Sequence, residues 1–220
     1  MASFAIALYI DNRSFIVVNI HTAGKRPEIL DRVEQLGFAV FEEGDWNLNI
    51  IGERNPNGEA DKFDDWIHVI YQLRGIWHWH AYRCTTDAGV YYLKNYSIGR
   101  KGCAILYHPQ QMRGAYKIDL HGGRYEALCQ RNGKVKVWRD ANRDAVHDMD
   151  SSVETEEGWF GINIHRSSTR AGGAEIVAKY SAGCTVIQDP DDFNEFMFLC
   201  RKQREMRGWD TFTYTLIEGL

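Results

Sequence analysis

From Trp46 to Trp138 the chain breaks into short apolar and β-branched runs separated by polar turns, and this spacing constrains its fold more than any other feature. Val, Ile, Tyr, Trp and Thr fit a pleated surface, and runs of about four to eight such residues bounded by Gly, Asn, Asp or Pro read as strands. Residues 47–52 form one run, and Arg54-Asn55-Pro56-Asn57-Gly58 is the turn after it. Residues 66–73 and 77–83 read as a pair joined near Gly75. Further strands are expected at 91–93, 104–107, 115–118, 127–130 and 135–138, at the intervals of a sandwich or barrel-like sheet. The expected class is mainly β, a β-sandwich or barrel-like domain with a few helices.

Two helices stand out. Pro27 suits a first helical turn, Ile29, Leu30, Val33 and Leu36 share a face, and Gly37 stops the helix. The second starts at Asp192, where Asp192 and Glu195 make a capping-box-like pair. Phe193, Phe196, Met197 and Cys200 line one face of it, and Gly208 ends it. Residues 211–217 alternate as a final strand. At the other end, residues 1–22 read as two strands around Asp11-Asn12-Arg13-Ser14, and 38–41 as another strand. A small N-terminal β/α appendage, 1–45, is therefore expected before a main domain, 46–220.

Composition excludes several classes. A net charge of −4 gives no electrostatic footprint for nucleic acid. No apolar run approaches the roughly 18 residues of a membrane span. Met1 to Ile10 lacks a basic n-region and alternates like a strand, so synthesis in the cytoplasm without a signal peptide is expected. The five cysteines form no metal-like pair and leave one odd thiol, which suits a reducing compartment. His78 and His80 flank Trp79 with a spacing that can chelate, yet no third ligand is identifiable. Residues 139–144 alternate carboxylates but lack the glycine and closing Glu of a calcium loop, and read as a turn held by its own side chains. Neither metal nor cofactor is expected, and the oligomeric state is open.

The chemistry concentrates at Gly161-Ile162-Asn163-Ile164-His165-Arg166-Ser167 and Ser181-Ala182-Gly183-Cys184-Thr185-Val186. A catalytic cysteine needs an imidazole to take its proton, because the thiolate is the attacking species and a free thiol is mostly protonated at neutral pH. His165 can be that base for Cys184. Ala182 and Gly183 let backbone amides approach a developing oxyanion, and Ser181 can hold the turn. The plainer alternative is that Cys184 is a small buried hydrophobe and His165 a strand end. His121-Gly122-Gly123-Arg124 offers a histidine at a loop rim and a guanidinium able to meet a carboxylate bidentately, or else a plain hairpin turn.

A strand ending Gly-Ile-x-Ile-His, followed within about twenty residues by Ser-x-Gly-Cys, resembles the active-site signature of the L,D-transpeptidase (YkuD-like) catalytic domain. Thr85-Thr86-Asp87-Ala88-Gly89-Val90-Tyr91-Tyr92-Leu93 is similar to that family's strand entry, with Asp87 where proline is usual. The resemblance spans residues 80–190. It implies a β-rich catalytic domain that attacks an amide of a peptidoglycan stem peptide through a thioester. Cys184 is then the nucleophile and His165 the base, with Ser181 and Gly183 framing the turn. Ala182 and Val186 replace the family's usual His and Arg, so either another cation meets the substrate carboxylate, with Arg166, Arg124, Arg139 or Arg170 as candidates and His121 nearby, or the substrate differs. The resemblance implies a cell-wall hydrolase or transferase, in the manner of a phage lysis (endolysin) or cell-entry enzyme acting after release or virion delivery. The rival expectations are an inactive virion or wall-binding module of the same fold, and a cysteine acyltransferase or peptidase acting on a non-wall amide.

Overall fold

The computed structural model describes residues 22–96 and 101–220. Its strands are β1 (Thr22–Gly24), β2 (Asn49–Arg54), β3 (Asp65–Leu73), β4 (Ile76–Thr85), β5 (Cys103–Leu106), β6 (Gln110–His121), β7 (Tyr125–Gln130), β8 (Val135–Asp140), β9 (Thr155–Gly158), β10 (Ile164–Arg166), β11 (Thr185–Ile187) and β12 (Phe212–Glu218). Its helices are α1 (Ile29–Gln35), α2 (Val90–Lys94) and α3 (Pro190–Arg207). The fold is mainly β. Eight strands run in the order β4-β11-β10-β7-β6-β12-β2-β3, and the β3–β4 ladder closes them into a barrel. Closure removes the exposed edges that an open sheet must protect, and eight strands leave an interior that side chains can fill.

Alternation along the strands divides two cores. Ile50, Ile67, Val69, Tyr82, Tyr116, Leu128, Ile164, Tyr214 and Leu216 fill one cluster, which α3 joins through Phe193, Phe196, Met197 and Cys200. On the opposite face, Ile51, Ile70 and Ile217 meet Ile29, Leu30 and Val33 of α1. Leu30 is fully buried there, a contribution of about 2 kcal/mol. The β3–β4 hairpin is closed by Arg74 and Gly75, with φ of 53° and 76°. Positive φ at both positions gives the turn a twist that matches right-handed strands. A separate three-stranded sheet, β5-β8-β9, lies beside the barrel.

Four local expectations are corrected. Residues 91–93 lie in the short helix α2 and not in a strand, because three aromatic or aliphatic residues in a row carry no period. Residues 38–41 form no strand: Gln111 bonds the N–H and C=O of Ala39, and Asn49 bonds those of Phe41. Two side-chain amides thus do the work of a ladder. Helix α3 begins at Pro190, two residues before the expected start, with Asp189 as the cap accepting from the Asp191 amide at 2.8 Å. The strands β1, β9 and β11 were not among those expected from the sequence. The two strands expected before residue 22 lie outside the described residues, among which no helix is long and apolar enough to cross a membrane.

Candidate functional site

Strands β10 and β11 run parallel with Ile164 opposite Thr185 and His165 opposite Val186, and the Thr185 amide donates to the Asn163 carbonyl at 3.0 Å. Ile162, Ile164 and Ile187 belong to the main core. Successive strand residues point to opposite faces, so Asn163, His165 and Cys184 share the other face of the sheet. Cys184 stands beside Asn163, and His165 is one two-residue step further along. The two side chains make no hydrogen bond with each other.

The turn before Cys184 is held by its own side chains and by one close backbone approach. Ser181 is fully buried; its hydroxyl donates to the Cys184 carbonyl at 2.7 Å and accepts from the Gly183 amide at 3.1 Å. Gly183 has φ of 119°, and a Cβ there would lie 2.2 Å from the Ala104 carbonyl oxygen of β5. Only glycine lets these backbones approach. One expectation is refined: the Gly183 amide is already engaged by Ser181. Among the described residues the backbone amides of Ala182 and Cys184 make no hydrogen bond. The sulfur accepts from the Asn163 amide at 3.4 Å and lies 3.7 Å from the Gly161 carbonyl.

His165 is nine-tenths buried or more and its Nδ1 lies 2.8 Å from the Arg166 carbonyl. A carbonyl only accepts, so Nδ1 carries the proton and Nε2 keeps its lone pair. His121, half-buried at the end of β6, stacks on this ring with centroids 4.0 Å apart and planes at 22°. The Asn163 amide oxygen accepts from the Gln130 N–H, so its nitrogen faces His121 Nδ1, at 3.0 Å. His121 therefore accepts at Nδ1 and holds its own proton at Nε2. Burial, and then the neighbouring His121 and Arg166, push His165 down to about 3, with the carbonyl bond opposing. His121 is lowered too, by burial and by Arg131, Arg124 and Arg166. Both rings are neutral at physiological pH.

Burial pushes the Cys184 thiol up to about 11, partly offset by the Asn163 amide. The resting pair is thiol and neutral imidazole. Cys103 is raised to about 12 and the fully enclosed Cys84 well above its ordinary value, while Cys184 is half-buried and the other four cysteines are buried. Iodoacetamide is accordingly expected to modify Cys184 first, and at alkaline pH. The thiolate fraction is roughly one in a thousand at pH 8 and rises about tenfold per pH unit. Peptide mapping across pH 6 to 10 checks this; fast labelling near pH 6 would reveal a thiolate already stabilised.

Two clefts flank the site. One, of about 670 Å³, is lined by His121, Arg124, Tyr125, His165, Arg166, Ser167, Arg170, Lys179 and Tyr180, among others. The other, of about 800 Å³, contains Cys184 with Tyr92, Tyr96, Trp159, Phe160 and Arg139. The sequence-derived cations therefore divide. Arg124, Arg166 and Arg170 meet His121 and His165, whereas Arg139 lies on the Cys184 side, held by Glu156 at 2.8 Å and stacked over Phe160. Elsewhere, His78 and His80 stack on Tyr71. The acidic turn after β8 is held by Asn142 and Asp144 bonding one another and the Val146 amide. Among the described residues no group of His, Cys, Asp and Glu is placed to hold a metal ion.

Two organising residues escaped the sequence reading. Gln130 accepts at its Oε1 from the amides of Phe160, Gly161 and Ile162, holding the strand entry that leads to His165. Asn163 joins Gln130, His121 and Cys184. Their only signal is an amide at a strand end, a position of little information. The Thr85–Gly89 stretch, singled out by its motif, packs against the turn that carries Cys184. Buried Arg54 donates to Thr86 and pairs with Asp87 at 2.7 Å, and the Gly89 amide donates to the Ser181 carbonyl at 2.9 Å. No protein-family model and no curated protein matches this chain, so its chemistry is read from these residues.

Proposed function

We propose that the chain is a cysteine-dependent enzyme of the L,D-transpeptidase type that opens or transfers an amide of the peptidoglycan stem peptide. The observation that carries this reading is the tautomer of His165: Nδ1–H on the Arg166 carbonyl leaves the Nε2 lone pair available on the sheet face that bears Cys184. As the sulfur adds to the amide carbonyl carbon, its proton passes to His165 Nε2, and the free amides of Ala182 and Cys184 meet the oxyanion. Collapse breaks the C–N bond, the leaving amine takes the proton from His165, and a thioester on Cys184 remains. Water or an amine then adds to the thioester with His165 again taking its proton, and the sulfur departs and is reprotonated. The reaction needs no cofactor. We place the enzyme at the cell wall after release or virion delivery, as in phage lysis or entry, where abundant water favours hydrolysis.

A second reading has its own support. A thiol raised to about 11 and lacking a hydrogen bond to His165 suits a virion or wall-binding module that has the fold without turnover. Incubation with purified sacculi, acid quenching and peptide mass mapping separate the two. An acyl adduct on the Cys184 peptide, with released stem-peptide products, is expected for the enzyme. Binding to sacculi with neither adduct nor product would leave the module.

A further inference from the structure

Arg124, Arg166, Arg170 and Lys179 converge on the cleft over His165, and no carboxylate lines it. None of the four forms an ion pair among the described residues, although the chain holds 30 acidic residues against 26 Lys and Arg. Some other surface cations are paired, Arg32 with Glu53, Arg131 with Asp119, Arg139 with Glu156 and Arg201 with Glu126, and others such as Lys134 are unpaired among the described residues, so these four are set apart by sharing one cleft that no carboxylate lines. Like charges gathered without counter-charge repel one another, and a concave wall concentrates their field. Aromatic faces hold two of them in place without neutralising them: Arg166 lies 3.8 Å over Tyr125 and Lys179 4.1 Å over Tyr91. Arg124 is carried at the rim by the Gly122-Gly123 turn, whose φ values are 56° and 72°. The cleft, about 670 Å³, exceeds the needs of one carboxylate and suits a short segment of chain. The Cys184 cleft differs, since its Arg139 is neutralised by Glu156 and its walls carry Trp159, Phe160, Tyr92 and Tyr96.

We propose that the His165 cleft binds an acidic peptide segment carrying at least two carboxylates, which gives the substrate a polarity: charged part over His165, uncharged part on the Cys184 side. Guanidinium forks are suited to carboxylates, and several of them around one cleft select for multiple charges. The assignment of this peptide as substrate rests on the acyl-transfer reading above; the binding itself does not.

The test is calorimetric titration of the purified full chain with tetraglutamate, with tetraglutamine as the uncharged control and tripolyphosphate as the competing anion. Saturable binding of tetraglutamate at low salt is expected, weakening as salt is added, with none for tetraglutamine. The double variant Arg124→Gln/Arg170→Gln removes two exposed cations and should weaken binding about threefold to thirtyfold, and Lys134→Gln, exposed outside the cleft, should not. Cys184→Ala should bind as the wild type does. No preference for tetraglutamate over tetraglutamine, or an unchanged affinity in the double variant, would overturn the site. Tripolyphosphate binding at least about tenfold tighter than tetraglutamate would overturn its assignment to an acidic peptide. Turnover retained in Cys184→Ala would defeat the acyl-transfer reading and leave these binding results standing.

Discussion

Cys184→Ala is expected to reduce stem-peptide cleavage by about a million-fold, to background, because removing a nucleophile removes the covalent route with it. The fold should survive. The sulfur makes two weak hydrogen bonds, with the Asn163 amide and the Gly161 carbonyl, the side chain packs only at the edge of the Phe63, Val177 and Val186 cluster, and the turn is held by Ser181 and by the close approach of Gly183 to Ala104. The stability cost should be about 1 kcal/mol or less, in line with losing a few contacts at a partly exposed position. Turbidity loss of purified sacculi measures the rate, and thermal unfolding shows that the variant is folded. Clearing at the wild-type rate by a folded variant would remove Cys184 from the mechanism. Cys200→Ala makes a poor control, since Cys200 is fully buried against α3's core neighbours and its loss opens a cavity.

His165→Ala is expected to slow the same reaction by about a hundredfold to ten-thousandfold, the usual contribution of general-base assistance. His121→Ala should cost less, because His121 meets the site by stacking on His165 and by accepting from the Asn163 side chain and takes no proton from the thiol, and His121→Phe, which keeps a ring there, less still. A His121→Ala defect larger than that of His165→Ala would exchange their roles. The pH profile provides an independent readout. His165 is unprotonated above about 3 and the Cys184 thiol protonated below about 11, so the free enzyme holds one protonation state of this pair between those values. The acid form of His165 accumulates only as pH falls toward 3, and the thiolate only as pH rises toward 11. With these two groups controlling the reaction, kcat/KM should be flat across the neutral range. A bell with both limbs between about pH 5 and 8 would mean that a thiolate–imidazolium pair exists before substrate arrives.

The mainly β class, the β3–β4 hairpin, α1 and α3 were legible because each is written locally. Alternation marks a strand, an i, i+3, i+4 stripe marks a helix face, and Gly75 and Gly208 stop an element wherever they stand. Boundaries moved where local signals compete: Asp189 outbid Asp192 as the cap of α3 because Pro190 fits the first helical position without a wasted N–H. The segment 38–41 lost its strand to the side chains of Asn49 and Gln111, partners that no window around Phe38 contains.

The site divides along the same line. By itself the sequence determined the chemical types and the local turn: a cysteine after Ser-Ala-Gly, a histidine at a strand end, and glycine where the backbone must pass close. Closure of the barrel, the parallel pairing of β10 with β11, the stacking of His121 on His165 and the gathering of Arg124, Arg166, Arg170 and Lys179 were decided only by the tertiary structure. So was the separation of Arg139 from those cations, and so was the raised thiol of Cys184. The physical reason is range. Backbone preference and periodicity act over a few residues, whereas burial, ring stacking and the balance of charge depend on neighbours brought together from 40 or more positions away, such as His121 and His165.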